Sequence, residues 1–376
     1  MHDLAVIAKI QKLAPIEGKD RIEMATVMNY NSIVEKGAYL EGDKVIYVFY
    51  DAIMPTINPA TKKPDFEFLR KRCWSEKYQG FRIRPMKLGN SISEGLVLPL
   101  SMLPKSEHLA VGTVVTDKLG IRLYDPENDS TPVAPKKGLR KILCRYAFFR
   151  KVFKWLDIKL GKVKEKGLYP QWITKSDEDN IEKCFDSVVA TPSKEYIITE
   201  KIEGQASTFA IDKKGKFKVY SHNYCVEEGA WYDYAKEVGM EKLLRYVCSY
   251  LSIDGIAIQG ELIGPNIQNN IYGRDKYELY IYGGYHLDHT KLTWKEIKEI
   301  SKLTGIPTVP YVRKGKVTTL EDMLKDCEGW SVLENPITKK PVDREGLVWR
   351  TFDGNTHFKC KSRRYKISWE KKCKNE

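Results

Sequence analysis

Short apolar runs separated by turn residues dominate residues 1–125. KVIYVFY (44–50) and GLVLPL (95–100) have strand length, and Gly, Pro, Asp and Asn punctuate the stretches between such runs. This pattern predicts a small β-barrel or sandwich. Residues 126–135, which include NDSTPVAP, are polar and proline-bearing and read as a linker. In the segment that follows (136–166) the period changes: Leu139, Ile142, Leu143, Tyr146, Phe149, Phe153 and Leu156 recur at helical spacing, with Lys137, Arg140, Lys141, Arg145, Arg150, Lys151 and Lys154 between them. From about 168 to the end, glycine-flanked strands alternate with helices. The clearest helix starts at a capping box, Thr293 with Glu296, continues through Ile297, Ile300 and Leu303, and stops at Gly305 and Pro307. The expected class is α+β, divided as 1–125, a basic connection 126–167, and 168–376.

The chain has 376 residues, 42% hydrophobic and 30% charged, which suggests two domains, or three small ones, with enough apolar content to bury a core. A formal net charge of +13 directs attention to polyanions, either nucleic acid or an acidic membrane surface. No apolar run approaches the roughly 20 residues that span a bilayer, and Met1 to Ala8 lack the pattern of a signal peptide, so a cytoplasmic protein without a membrane partner is expected. The eight cysteines are scattered without a CxxC pair or zinc-finger spacing and read as reduced thiols. His286 and His289 are close in sequence, a spacing that more often serves structure than metal. The basic segment 136–166 reads as a solvated amphipathic helix, a phosphate-backbone contact, or a helix lying on a membrane.

Five short motifs carry candidate chemistry. EKIEG (200–204) follows the strand-like YIIT, and in extended geometry Lys201 and Glu203 project to one side while Ile202 projects to the other. A lysine amine attacks phosphorus only when deprotonated, so its ordinary pKa near ~10.4 has to be lowered by cations or burial. Gly204 admits close approach of a phosphate or ribose to the backbone. IAIQGELIGPNIQNN (256–270) sets Ile256, Ile258 and Leu262 on one face and Ala257, Gln259 and Glu261 on the other, so an acid ends beside a loop, suited to hydrated magnesium or a ribose hydroxyl. ELYIYGG (278–284) alternates Tyr280 and Tyr282 with Leu279 and Ile281, and an aromatic facing a pocket can stack on a base. REGLVWR (344–350) pairs Glu345 with Gly346. HFKCKS (357–362) puts Lys359 and Lys361 on one strand face opposite Phe358 and Cys360, where two ammonium groups repel unless an anion joins them. Each motif alone is matched by a bland reading as a solvated strand end, a rim tyrosine or an edge lysine.

Their order, KxxG, strand glutamate, aromatic strand, EG strand, KxK, resembles the covalent nucleotidyltransferases: DNA ligases, RNA ligases and capping enzymes. Within that superfamily the chain most resembles the OB-first RNA ligases typified by the Deinococcus and Naegleria enzymes, in which an OB-type domain precedes the nucleotidyltransferase domain. The first half of the likeness rests on residues 41–55, 66–72, 80–100 and 111–126, and the second on 169–183 and the five motifs. Segment 136–166 matches the family only in its place between domains.

The resemblance implies an OB-like barrel followed by a nucleotidyltransferase (ATP-grasp-like ligase) domain of antiparallel sheets with flanking helices. It implies an ATP-dependent RNA ligase in which Lys201 becomes a lysyl-adenylate, AMP passes to an RNA 5′-phosphate, and a 3′-hydroxyl displaces it, a reaction of RNA repair. Glu200 would help recognise adenine and Tyr282, or Tyr280, would stack on it. Lys359 and Lys361 would hold the α-phosphate, with Gly204 near it. Glu203, Glu261 and Glu345 would orient the water shell of Mg2+ or Mn2+. RNA, nicked or broken and possibly duplex, is the implied partner of a protein expected to be monomeric. In two places the pattern departs from the family: SHNY carries His222 where an arginine is usual, and Glu203 stands where aspartate is common. A neutral imidazole would serve phosphates weakly. Competing readings are a DNA ligase, whose OB domain usually follows the transferase, a capping guanylyltransferase, and an RNA-binding module with a degenerate pocket. A P-loop kinase is disfavoured because GxxxxGK[ST] does not occur.

Overall fold

The computed structural model describes residues 3–372 apart from 90, 125–166, 177 and 192–193. The basic segment 136–166, with its expected helical stripe, therefore lies outside the described residues. Those described fall into two compact units, one up to residue 124 and one between 167 and 368.

In the first unit, strands β1 (Ala5–Pro15), β2 (Ile22–Val27), β3 (Tyr30–Glu35) and β4 (Lys44–Phe49) are followed by a 45-residue connection and then β10 (Gly95–Pro99). They form a five-stranded sheet in the order β10-β4-β1-β2-β3. The sheet curls until its ends meet: the Glu94 N–H donates to the Asn31 carbonyl at 2.7 Å and the Ile33 N–H to Ser93 Oγ at 3.1 Å. That closure makes the barrel of an OB fold. The unbroken apolar run in β4 has a physical cause. Val45, Tyr47 and Phe49 point into the barrel core with Val6, Ala8, Ile10 and Tyr30. Ile46 and Val48 point the other way, into a second core with Ala5, Ile7, Phe66, Phe81 and Leu119. A strand buried on both faces loses the polar alternation of a half-exposed one. The second core is covered by a four-stranded sheet, in the order β11-β5-β7-β6, made of β5 (Ala52–Met54), β6 (Trp74–Ser75), β7 (Gly80–Arg82) and β11 (Arg122–Leu123). Three of these strands come from the connection between β4 and β10. The hairpin of β8 (Met86–Leu88) and β9 (Ser91–Ser93) completes it.

The second unit is built on two five-stranded sheets. One has the order β12-β21-β20-β13-β19, from β12 (Asp179–Asn180), β13 (Tyr196–Lys201), β19 (Tyr311–Gly315), β20 (Gly346–Thr351) and β21 (His357–Lys361). It is antiparallel except where β12 runs parallel to β21. The other has the order β16-β15-β14-β17-β18, from β14 (Gln205–Ile211), β15 (Phe217–Tyr220), β16 (Cys225–Val226), β17 (Ile256–Ile263) and β18 (Glu278–His286). On the first sheet Tyr196, Ile198, Leu347, Trp349, Phe358 and Cys360 pack on the helices Ile181–Val189 and Leu320–Asp326. On the second Phe209, Ile256, Ile258 and Leu262 pack on the helices Met240–Leu251 and Trp294–Thr304. The capping box forms as its spacing predicts: the Glu296 N–H donates to Thr293 Oγ1, the Thr293 N–H donates to Glu296 Oε2, and Gly305 closes the helix at φ 73°. Among the described residues no helix is long and apolar enough to cross a membrane, and the six described cysteines are free thiols.

Candidate active site

Strand register assembles the site. β13 lies beside β20 with Lys201 opposite Gly346 and Thr199 opposite Val348, and β20 lies beside β21 with Gly346 opposite Lys361, Val348 opposite Lys359 and Arg350 opposite His357. Residues opposite one another project to the same face, so Lys201, Lys359, Lys361, Arg350 and His357 share one side of the sheet. Gly346 sits between the two lysines, and a Cβ there would meet the Cys360 carbonyl oxygen at 2.1 Å. Any side chain would push β20 off β21. The buried Glu345, one residue before it, joins the cations: its Oε1 lies 2.9 Å from Lys201 Nζ and 3.4 Å from Lys361 Nζ. The anion that the KxK spacing demands is, in this structure, a carboxylate of the protein.

The electrostatics revise the expected state of the amine. Burial pushes the Lys201 pKa down, but the carboxylates of Glu345, Glu261 and Glu178 outweigh it and hold the value above that of an ordinary lysine. The lowered pKa anticipated from the sequence is not what the folded site has: without substrate the nucleophile candidate is an ammonium. Glu345 shifts reciprocally, since burial would raise it and Lys201 and Lys361 more than offset that.

Sequence reasoning missed Glu178. Its Oε1 accepts from Arg350 Nη2 at 2.6 Å, and although burial raises its pKa, Arg350, Lys359 and Lys201 together hold it at about 2. The only signal was its place in a polar stretch, KSDEDN; its partner lies 172 residues away. Lys291 was missed as well: its Nζ donates to His357 Nδ1 at 3.1 Å, and burial together with the Lys291 charge pushes the imidazole pKa down. Because the Glu178 pKa is depressed on folding, the pair contributes stability that is present above the unfolded value near ~4.3 and is lost as pH falls through about 2. Glu178→Gln is therefore expected to be less stable than wild type at pH 7, by an amount on the order of 3 kcal/mol, and to converge with it in acid. Urea unfolding at pH 7 and near pH 2 reads this; a difference that is the same at both pH values would refute it.

The remaining predicted residues divide into those the fold brings to Lys201 and those it does not. Glu261, on β17 opposite Tyr280, is close enough to raise the Lys201 pKa. Glu200 points to the other side of β13, buried, with a carboxylate oxygen accepting from the Val332 N–H at 3.1 Å. β13 ends at Lys201, so strand alternation does not carry on to Glu203 as the sequence pattern suggested. The Glu203 N–H donates to Tyr272 Oη at 3.1 Å; burial raises the pKa of the Tyr365 phenol, and the buried Glu203 carboxylate lies close enough to raise it further. Gly204 faces β17 rather than a ligand: a Cβ there would meet the Leu262 carbonyl oxygen at 2.5 Å and Glu261 Cγ at 2.9 Å. It is needed so that β14 can start against Glu261.

Tyr282 is the extra residue of a β-bulge. Gln259 lies opposite Gly283 and Gly260 opposite Ile281, leaving Tyr282 out of the ladder, and bulges of this kind re-aim a side chain beside a site. The ring is buried, hydrogen-bonds through its phenol with Ser176, and has the Arg350 guanidinium 5.2 Å from its centroid. It lines a cavity between the two sheets together with Glu178, Thr199, Gln259, Arg350 and His357. The Tyr280 hydroxyl is engaged elsewhere, donating to Glu278 Oε2 at 2.8 Å. Beside His222, the Asn223 Oδ1 accepts from Lys175 Nζ at 2.9 Å, and Lys175 also lines the cavity, so this loop has an ammonium next to it even though its own residue is an imidazole. His286 and His289 bond to different partners, Glu296 and Thr174, and do not form a joint site.

Among the described residues no group of three His, Cys, Asp or Glu side chains is placed to ligate an ion directly. Glu345 and Glu261 beside Lys201 fit a different arrangement, in which a hydrated divalent cation is held through its waters and by substrate phosphate. Lys201, Lys359, Lys361 and Arg350 face the carboxylates of Glu178, Glu261 and Glu345 in a partly enclosed site. It can bind a phosphorylated ligand and present one amine to it.

Residues 4–100 match the model of an OB-fold domain family, and residues 194–367 match the RNA ligase family model. Among solved structures, Naegleria gruberi RNA ligase with pyrophosphate superposes with a TM-score of 0.78 at 24% identity, over 99% of this chain and 100% of that one. A variant of the Naegleria gruberi enzyme with ATP and Mn gives 0.77 at 25% identity, over 97% of this chain and 98% of that one. Another, with AMP and Mn, gives 0.77 at 24%, over 98% and 99%. No curated protein matches the chain in sequence.

Proposed function

With an RNA ligase family domain over residues 194–367 behind an OB-fold domain over 4–100, the chain belongs to the OB-first RNA ligases, and from that premise we propose that it joins RNA ends at the expense of ATP through a lysyl-adenylate on Lys201. The observation that carries the reading is the Lys201 amine held by Glu345 at 2.9 Å, beside Lys361, on the strand face that lines the inter-sheet cleft. The Naegleria gruberi structures with ATP, AMP, pyrophosphate and Mn support the nature of the ligands.

In the first step Lys201 Nζ, having given up a proton, attacks the α-phosphorus of ATP; the P–N bond forms as the P–O bond to pyrophosphate breaks. Lys359 and Lys361 hold the α-phosphate, and the oxygens they bring to the site compete with Glu345 for the cations that fix it in the free protein. Tyr282 stacks on adenine. Glu261 and Glu345 would hold a hydrated Mg2+ or Mn2+ ion through its waters, and the ion would supply charge neutralisation at the phosphate. AMP then passes from Lys201 to an RNA 5′-phosphate, and a 3′-hydroxyl attacks that phosphate and releases AMP. Such chemistry suits RNA repair, with a domain up to about residue 125 gripping RNA and the transferase from about 168 onward doing the joining.

The test is sealing of a nicked RNA duplex bearing a 5′-phosphate, with a divalent cation and either ATP or GTP. Joined product with ATP alone is expected. Covalent labelling by GTP would move the assignment to a capping-type transferase, and RNA binding without labelling by either nucleotide would leave an RNA-binding module.

A further inference from the structure

We infer that the first unit grips RNA through the small sheet inserted between β4 and β10, with its Arg70–Trp74 and Phe68 corner as a base-stacking and phosphate-binding surface, and not through the face of β2 and β3. The inference deepens the RNA ligase reading and rests on it. OB folds engage oligonucleotides in two places, the face of their second and third strands and the loops that join strands one to two and four to five. In this chain the first place is poorly suited to a polyanion: residues 22–35, which make up β2 and β3, hold Glu23 and Glu35 and no Lys or Arg. The connection between the fourth and fifth barrel strands is the opposite. Residues 66–87 within it hold seven Lys or Arg against two Glu.

The insertion also presents aromatic rings that cations already cover. The Arg70 guanidinium lies 4.3 Å from the ring centroid of Trp74, on the edge strand β6. The ring of Tyr78, in the turn that follows, is approached by Lys77 Nζ at 5.3 Å. Phe68 is 59% exposed, beside Lys71 and Arg72, which are themselves exposed. Arg70 is paired with Glu67, so the exposed Lys71 and Arg72 are the cations that meet phosphates, while bases stack on the Trp74 and Phe68 rings, as single-stranded nucleic acid is held on aromatic platforms. The sheet beneath is rigid, because Phe81, Cys73 and Leu69 anchor it in the second core.

The experiment measures binding of the full-length chain to a fluorescent RNA strand with a 5′-phosphate, across a salt series, alongside covalent labelling by ATP. The double charge reversal Lys71→Glu with Arg72→Glu is expected to weaken RNA binding at least about tenfold near 0.1 M salt and to reduce the salt slope by about two. Phe68→Ala is expected to weaken it by about fivefold or more with the salt slope unchanged. ATP labelling should stay at the wild-type level in both. The matched reversal of Lys9 and Lys12, exposed on the barrel strand β1, should change affinity by less than about threefold. Wild-type affinity in the Lys71/Arg72 variant, or an equal loss in the Lys9/Lys12 variant, overturns the surface and leaves the ligase reading intact. Failure of the wild-type chain to take label from ATP counts against the ligase reading instead.

Discussion

Lys201→Ala is expected to take no label from ATP carrying the isotope at its α-phosphate, a loss of at least about a thousandfold, while the fold persists. In the proposed reaction the amine forms the P–N bond, and alanine has nothing to replace it. Folding should survive because Glu345 keeps Lys361 as a partner at 3.4 Å when Lys201 is gone. Label retained on protein denatured in SDS is the readout. A second arm separates loss of the nucleophile from loss of the pocket: RNA supplied already adenylylated at its 5′ end should still be sealed by the variant, since that step uses a 3′-hydroxyl and not the lysine. Equal labelling of variant and wild type would place the nucleophile elsewhere.

Glu345→Gln carries the second largest effect. Its carboxylate holds Lys201 and Lys361 in register, and the carboxamide keeps the shape and removes the charge. Losing a preorganised charge of this kind lowers the rate by about 10² to 10³, read as the rate of label transfer at saturating ATP. The pH profile gives an independent sign. Burial lowers the Lys201 pKa, and Glu345 is the largest of the carboxylates that raise it above the ordinary value, so the wild-type rate should climb with pH as the ammonium gives up its proton. With the carboxylate gone, the midpoint should move to lower pH even as the plateau falls. A profile with the same midpoint would mean that Glu345 does not set the charge on the amine.

What could be read without coordinates depended on whether a signal was local. Lys359 and Lys361 share a face because strand side chains alternate, and HFKCKS states this within six residues. The capping box at Thr293 is equally local, and it formed as predicted. Glu203 shows where such reasoning stops: alternation holds only while the chain stays extended, and β13 ends at Lys201. Tyr282 gives the same lesson at the bulge in β18, where one added residue takes the ring out of the ladder. Glu178 could not be found at all, since a lone glutamate in a polar loop acquires meaning only from an arginine 172 residues away.

The chain by itself therefore determined the elements and pointed to the chemistry proposed for them: strand against helix from the hydrophobic period, a candidate attacking amine from KxxG, a candidate phosphate-holding pair from KxK. Only the tertiary structure decided the charge state of that amine and the membership of its pocket. Electrostatic energies fall off with distance through space, and the register of β13, β20 and β21 sets those distances by placing Glu345 between two lysines that are 160 residues apart.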